Sequence, residues 1–133
     1  MKKILIPIIL VLIVQFSFGQ QLTHLHGDYL GQTPPDDTPK VFAPGIVSTQ
    51  ALEHSAPAFS PDGKEMYWSV IRNQHDTVFQ DIKYIKWNGS EWTKPQTAPF
   101  SGNYYDGGPV ISADGKKIFF YRATYRFPLG KML

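Results

Sequence analysis

The sequence predicts an all-β protein assembled from a repeated antiparallel unit, and three observations carry that expectation. The first is a turn, Ser60-Pro61-Asp62-Gly63-Lys64, set between Ala58-Phe59 and the aromatic run Glu65-Met66-Tyr67-Trp68-Ser69-Val70. Each turn residue solves a backbone problem: Pro61 presets φ, Asp62 accepts hydrogen bonds from nearby amides, and Gly63 takes the left-handed conformation without a Cβ penalty. The second observation is recurrence. Val110-Ile111-Ser112-Ala113-Asp114-Gly115-Lys116 repeats the turn and Lys117-Ile118-Phe119-Phe120-Tyr121 repeats the run after it, with Gly115 placed 52 residues after Gly63. That spacing is near the lengths typical of blades and solenoid repeats. The third is bulk on both faces, since Met66-Tyr67-Trp68 and Ile118-Phe119-Phe120-Tyr121 do not alternate with polar residues. A sheet with one wet face would alternate, whereas a sheet packed between two neighbouring sheets, as a propeller blade is, would not. No stretch shows helical periodicity with caps.

Residues 1–19 are a separate object. Lys2 and Lys3 supply a positive start, Ile4 to Val14 an apolar stretch, and Ser17-Phe18-Gly19 the small residues that precede a cut before Gln20, which is the layout of a cleaved secretory signal. The apolar run is shorter than the roughly 20 residues that a bilayer requires, and Pro7 interrupts it. The expected localisation is therefore secreted or periplasmic, with no membrane insertion after cleavage. Cysteine is absent, which excludes a disulfide framework and a thiolate zinc site. Two of the thirteen basic residues, Lys2 and Lys3, belong to the signal, which leaves eleven against eleven acidic ones. A balanced chain without basic runs has no electrostatic footprint for nucleic acid.

Residues 20–40 read as an irregular, exposed leader, because Pro34, Pro35 and Pro39 remove ladder donors and Asp36, Asp37 and Thr38 leave little to pack. Val41-Phe42-Ala43 is a candidate short strand, and Ile46 to His54 a connecting loop. Strands are predicted over about Ala58–Ser60 and Glu65–Ile71, with a polar loop from Arg72 to Thr77. A third strand, Val78–Trp87, ends at Asn88-Gly89, a strong hairpin signal. A fourth is expected over Glu91–Lys94, with Pro95 and Pro99 confining the residues after it to an edge or connection. The second unit begins at Gly107-Gly108-Pro109 and gives strands near Val110–Ser112 and Lys117–Ala123.

Phe59-Ser60-Pro61-Asp62-Gly63-Lys64, the aromatic strand after it, and Asp81-Ile82-Lys83-Tyr84 together resemble the WD-repeat-like β-propeller repeat of the TolB type. The segments Tyr29-Leu30-Gly31-Gln32 and Phe42-Ala43-Pro44-Gly45 are similar to the start of secreted bacterial proteins built largely from such repeats. The second copy departs from the pattern in having Ala113 where the repeat usually has Pro. The resemblance covers about Tyr29 to Pro128 and implies a partial β-propeller within residues 41–128. One complete four-stranded antiparallel blade would span about 55–100 and half of a second about 107–123, with 129–133 as a tail. Propellers close with about four to eight blades, so the expected reading is an N-terminal fragment of a longer propeller, whose partners include the remaining blades of that longer chain, or a truncated gene product. A small open β-sheet domain, or one that closes by oligomerising, is the alternative.

Few residues invite chemistry. His24 and His26 lie in the leader and His54 and His75 bracket the first hairpin, without a completing ligand set, so no metal is assigned. Asp62 and Asp114 have turn roles, as do Ser60, Pro61, Gly63 and Gly115, and Asp81 has a strand-start role. Glu53 and Asp106 precede the first strands of the two units, where propeller loops line the central channel. With His54, Tyr104 and Tyr105 they form the candidate ligand-facing set, against the competing reading of structural polarity. Trp87 and Trp92 flank the Asn88-Gly89 turn and are expected to touch across it. Asp106-Gly107-Gly108 lacks the alternating oxygen ligands of a calcium loop. The sequence carries no nucleophile elbow, phosphate-binding glycine loop or metalloprotease helix, so no catalytic residue and no cofactor is assigned. The expected function is a non-catalytic module that binds a protein, peptide or glycan. The alternative is the propeller part of a larger hydrolase, either a prolyl-oligopeptidase-like peptidase or a carbohydrate-active enzyme.

Overall fold

A computed structural model describes residues 27–51, 53, 55–74, 77–124 and 127–128. The expected signal over 1–19, the first residues of the leader, His54, His75 and the tail 129–133 lie outside the described residues. Apart from one short turn at Asp28–Gly31, the described secondary structure is all strand: β1 (Ala58–Phe59), β2 (Glu65–Gln74), β3 (Thr77–Lys86), β4 (Gln96–Thr97), β5 (Tyr105–Ile111), β6 (Ile118–Ala123) and β7 (Phe127–Pro128).

The first four strands form an antiparallel meander. β1 pairs with β2, β2 with β3 over their full lengths, and β4 with β3 at Lys83 and Tyr84. The hairpin between β2 and β3 is tighter than the polar composition of Arg72 to Thr77 suggests, because the ladder runs out to Gln74 opposite Thr77. Trp87 and Trp92 bridge across the Asn88-Gly89 turn with their rings edge to face at 6.0 Å. The fourth strand falls after Pro95 instead of before it. Thr93 closes the hairpin by bonding Lys86 through both backbone and hydroxyl, and the chain regains the edge of β3 only once proline has been passed.

The two repeated turns share their principal hydrogen bonds. In the first, Ser60 N–H donates to the Glu65 carbonyl at 2.9 Å and Gly63 N–H to the Ser60 carbonyl at 2.8 Å. Ser60 Oγ donates to Asp62 Oδ1 at 2.6 Å, and that oxygen accepts the Lys64 amide at 3.1 Å. In the second, Ser112 N–H reaches the Lys117 carbonyl at 2.9 Å and Gly115 N–H the Ser112 carbonyl at 2.8 Å. Ser112 Oγ reaches Asp114 Oδ1 at 2.6 Å and the Lys116 amide donates to it at 3.1 Å. Gly63 and Gly115 sit at φ of 68° and 70°, the left-handed region in which a side chain would be strained. Ala113 in place of proline leaves all of this unchanged.

The second unit is not set apart as a separate sheet. β5 joins β3 through one parallel pair, Gln80 opposite Tyr105, and β7 pairs antiparallel with β3 at Thr77 and Val78. The result is one open, mixed sheet in the order β1-β2-β3-β5-β6, with β4 and β7 also paired to β3. β5 and β6 pair antiparallel with a bulge between Gly107 and Val110.

Bulk on both faces of β2 and β3 has a direct explanation, because both faces are covered. On one, Met66, Trp68 and Ile85 pack with Leu30, Ala43, Val47 and Trp92. Leu30 lies in the leader expected to be exposed, yet it is 1% exposed. It reaches the core through a turn in which Tyr29 and Leu30 hold φ of 52° and 57°, and the Trp92 indole N–H donates to Gly27 O. Val41 to Ala43 form no strand; Ala43 is itself at a positive φ of 43° and accepts three amides, from Ile46, Val47 and Ser48. On the other face, Ser69, Gln80 and Ile82 are fully buried, and the second unit lies against them.

Candidate binding surfaces

The second unit is seated on the first by small groups in close contact. Ser69 Oγ, from β2, accepts the Ser55 hydroxyl at 3.0 Å and the Gly108 amide at 3.1 Å, which ties the start of the first unit to the start of the second. Gln80 Oε1 accepts the Tyr121 hydroxyl at 2.5 Å. A Cβ at Gly107 would collide with the Gln80 amide and the Tyr121 hydroxyl, so glycine is what lets β5 approach β3. Among the described residues, Gln80 Nε2 is the one buried side-chain polar atom without a partner.

Two carboxylates are buried as ion pairs. Asp106, wholly buried, accepts from Arg122 Nε at 2.6 Å and Nη2 at 3.0 Å. Asp81, 3% exposed, accepts from Arg72 Nε at 2.9 Å and Nη2 at 3.3 Å. Both guanidinium groups also hold the connection between β4 and β5, Arg122 through the carbonyl of Phe100 and Arg72 through that of Gly102 at 3.3 Å. Fork-shaped pairing of this kind fixes geometry as well as charge. Ser101 Oγ completes the anchor by accepting the Ile82 amide.

These networks place the sequence-derived candidates. Tyr104 is 41% exposed, and the Arg122 guanidinium lies 4.6 Å from its ring centre. Asp106 and Tyr104 thus share Arg122. Tyr105 is buried and stacked on Tyr121 at 6.2 Å, and burial raises its phenol pKa. Glu53 is exposed and belongs to a different network, accepting from Ser48 Oγ and the Thr49 amide while bridging to Val70. His54 lies outside the described residues. Arg72 and Arg122, absent from the candidate set, organise the site; acids placed within strands were the available signal that basic partners would be needed.

Shallow concavities lie between these elements. A cleft of about 430 Å³ separates the two repeated turns, lined by Asp62, Tyr67, Asp114 and Lys117 among others. There the Lys86 ammonium, 2.8 Å from Glu65, holds the Glu65 carboxyl below its ordinary range, and burial with the Glu65 hydrogen bond raises the Tyr67 phenol. An apolar groove of about 300 Å³ lies against β1 between Tyr29, Val41, Phe42 and Phe59. A pocket of about 140 Å³ is bounded by Phe79, Asn103, Tyr104, Tyr105 and Ala123. Among the described residues no three His, Cys, Asp or Glu side chains converge as a metal would require, and no helix is long and apolar enough to cross a membrane.

No protein-family model, curated protein or solved structure matches the chain.

Proposed function

We propose that this chain is the opening of a secreted, propeller-type array of β-repeats that serves as a non-catalytic binding module for a protein, peptide or glycan. The observation that carries the reading is a difference in cover between equivalent faces. The face of β2 bearing Tyr67 and Ser69 is overlaid by the second unit, whereas Phe119 and Tyr121, one repeat later, are 57% and 46% exposed beside Val110 at 59%. A third unit stacked as the second is on the first would cover them, and repeat arrays bury their cores in this stepwise way. The binding role is supported by the commitment of the buried acids to arginine and by the exposed aromatic rings of Tyr29, Phe59 and Tyr104.

The test is size-exclusion chromatography with light scattering and limited proteolysis on the secreted full chain. N-terminal sequencing should find Gln20 first. Concentration-dependent association, or cleavage within 118–123, that is relieved by Phe119→Lys with Val110→Lys is the expected result. A monomer that resists protease and is indifferent to that double change would overturn the array reading.

A further inference from the structure

We propose that the free edge of β6 accepts one antiparallel strand carrying an acidic side chain opposite Lys117, an aromatic ring opposite Phe119 and a second acidic side chain opposite Arg122. The inference rests on the reading of the chain as a repeat array, through the equivalence of β6 with β2, and it adds the chemistry of the occupant.

Among the described residues no strand pairs with the outer edge of β6, and the hydrogen-bonding groups of that edge can be named. Ser112 N–H donates to the Lys117 carbonyl, so Lys117 faces β5. Because strand groups alternate, the amides and carbonyls of Ile118, Phe120 and Arg122 point to the other side. Among the described residues β6 ends the strand order, and β7, which follows it, pairs with β3 at Thr77 and Val78. In the first unit the corresponding edge of β2 is filled by β3, with Glu65 opposite Lys86, Tyr67 opposite Tyr84 and Val70 opposite Asp81.

Transferring that register by one repeat of 52 residues reads out what each position of β6 faces. Phe119 replaces Tyr67, whose ring stacks on Tyr84 at 5.7 Å, so an aromatic ring is required opposite it. Arg122 replaces Val70, which puts a guanidinium where the incoming strand has the place of Asp81. Its Nε and Nη2 are committed to Asp106 and Phe100, and Nη1 is left to meet a second carboxylate. Lys117 replaces Glu65, which pairs with Lys86 at 2.8 Å in the first unit. The charge at that position is reversed, so the occupant needs an acid there and a plain copy of β3 would set lysine against lysine. Opposite charges across a ladder are favourable and like charges are not.

The experiment titrates the secreted full chain with two synthetic peptides, one with the sequence of residues 77–87 and one identical except for Lys86→Glu. Hydrogen exchange is followed at single amides. The expected result is exchange slowed about tenfold or more at Ile118, Phe120 and Arg122, with the acidic peptide binding about threefold or more tighter than the parent. The protein variant Lys117→Glu should reverse that preference, and Phe119→Thr, which keeps a strand-forming residue, should weaken both peptides alike. Unchanged exchange at these three amides up to about 1 mM peptide, a range that would reveal even weak association, overturns the proposal. So does a preference that Lys117→Glu leaves untouched, or protection that falls on Thr77–Lys86. The amides of Lys64 and Lys116 report separately on the repeat: matched protection there with no strand addition removes this inference alone, while mismatched protection removes the repeat reading itself.

Discussion

The two repeated units share a turn and differ in everything that surrounds it. Ser60 to Glu65 and Ser112 to Lys117 share five hydrogen bonds at nearly the same distances. Beyond the turns, Trp68 is 2% exposed under the leader and Ser69 is closed over by the second unit. One repeat later, Phe120 is half-buried against Phe100 at 5.0 Å and Tyr121 is open to solvent on one side. A tight turn is an agreement among five or six consecutive residues, so it forms wherever they occur. Burial is an agreement among segments far apart in the chain, and among the described residues the first unit is the more deeply covered.

That contrast predicts a gradient of mutational cost. Trp68→Ala should destabilise by about 3–5 kcal/mol as a large fully buried side chain, whereas Phe120→Ala, at the equivalent position, should cost about 1–2 kcal/mol because much of its area is already wet. Urea unfolding of both variants measures the difference, and equal costs would mean that the second unit is as well packed as the first.

The arginine pairs come next. Arg72→Ala leaves Asp81 buried and unpaired, at about 1–3 kcal/mol once the one-third exposure of the guanidinium is discounted. Arg122→Ala should act in the same direction and also free the carbonyl of Phe100, which proteolysis between residues 98 and 104 would report. If only one of the two arginines mattered, the connection between β4 and β5 would not be held jointly by the two units.

Gly107→Ala tests the seat of the second unit on the first. The added methyl meets Gln80 and Tyr121, and overpacking of this kind costs about 1–3 kcal/mol. The variant should lose the hydrogen bond from Tyr121 to Gln80, seen as an altered tyrosine environment in near-ultraviolet circular dichroism, with the turn at Ser60 untouched.

The smallest effect concerns the turns themselves. The Ser60 hydroxyl and then the Lys64 amide hold Asp62 below its ordinary value of 3.8, and Ser112 with Lys116 does the same for Asp114. A carboxylate depressed on folding contributes stability that is complete above its ordinary value and is lost as pH falls through the depressed one. Asp62→Asn and Asp114→Asn should therefore each flatten the acid limb of stability as pH falls through and below the ordinary value of 3.8, and by equal amounts. Unequal flattening would break the equivalence of the two turns.

Much of the strand layout could be read along the chain. Pro61, Asp62 and Gly63 placed the first turn, and Asn88-Gly89 placed a hairpin that the Trp87 and Trp92 rings close. The polar run Arg72 to Thr77 misled, because both strands continue through polar residues when the ladder beside them supplies hydrogen bonds. Leu30 was hidden among prolines and acids in a segment without periodicity. For the candidate site, Tyr104, Tyr105 and Asp106 are neighbours in sequence, and their proximity was legible. That Tyr105 and Asp106 turn inward while Tyr104 stays out depends on Arg122 and Tyr121, residues whose approach no local pattern records.

What the sequence by itself determined is whatever a handful of adjacent residues can settle: two left-handed glycine turns, the strands that flank them, and an all-β character without long helices among the described residues. Only the tertiary structure decided that β5 joins β3 in parallel through a single pair, that a proline-rich leader and the loop after it supply Leu30 and Val47 to the core, and that both arginines grip one connection. The physical reason is range. Turn propensity and strand pattern are enthalpic choices within a few residues, whereas pairing and burial require distant segments to repay the entropy of closing the loops between them, and which segments do so depends on every competitor in the chain.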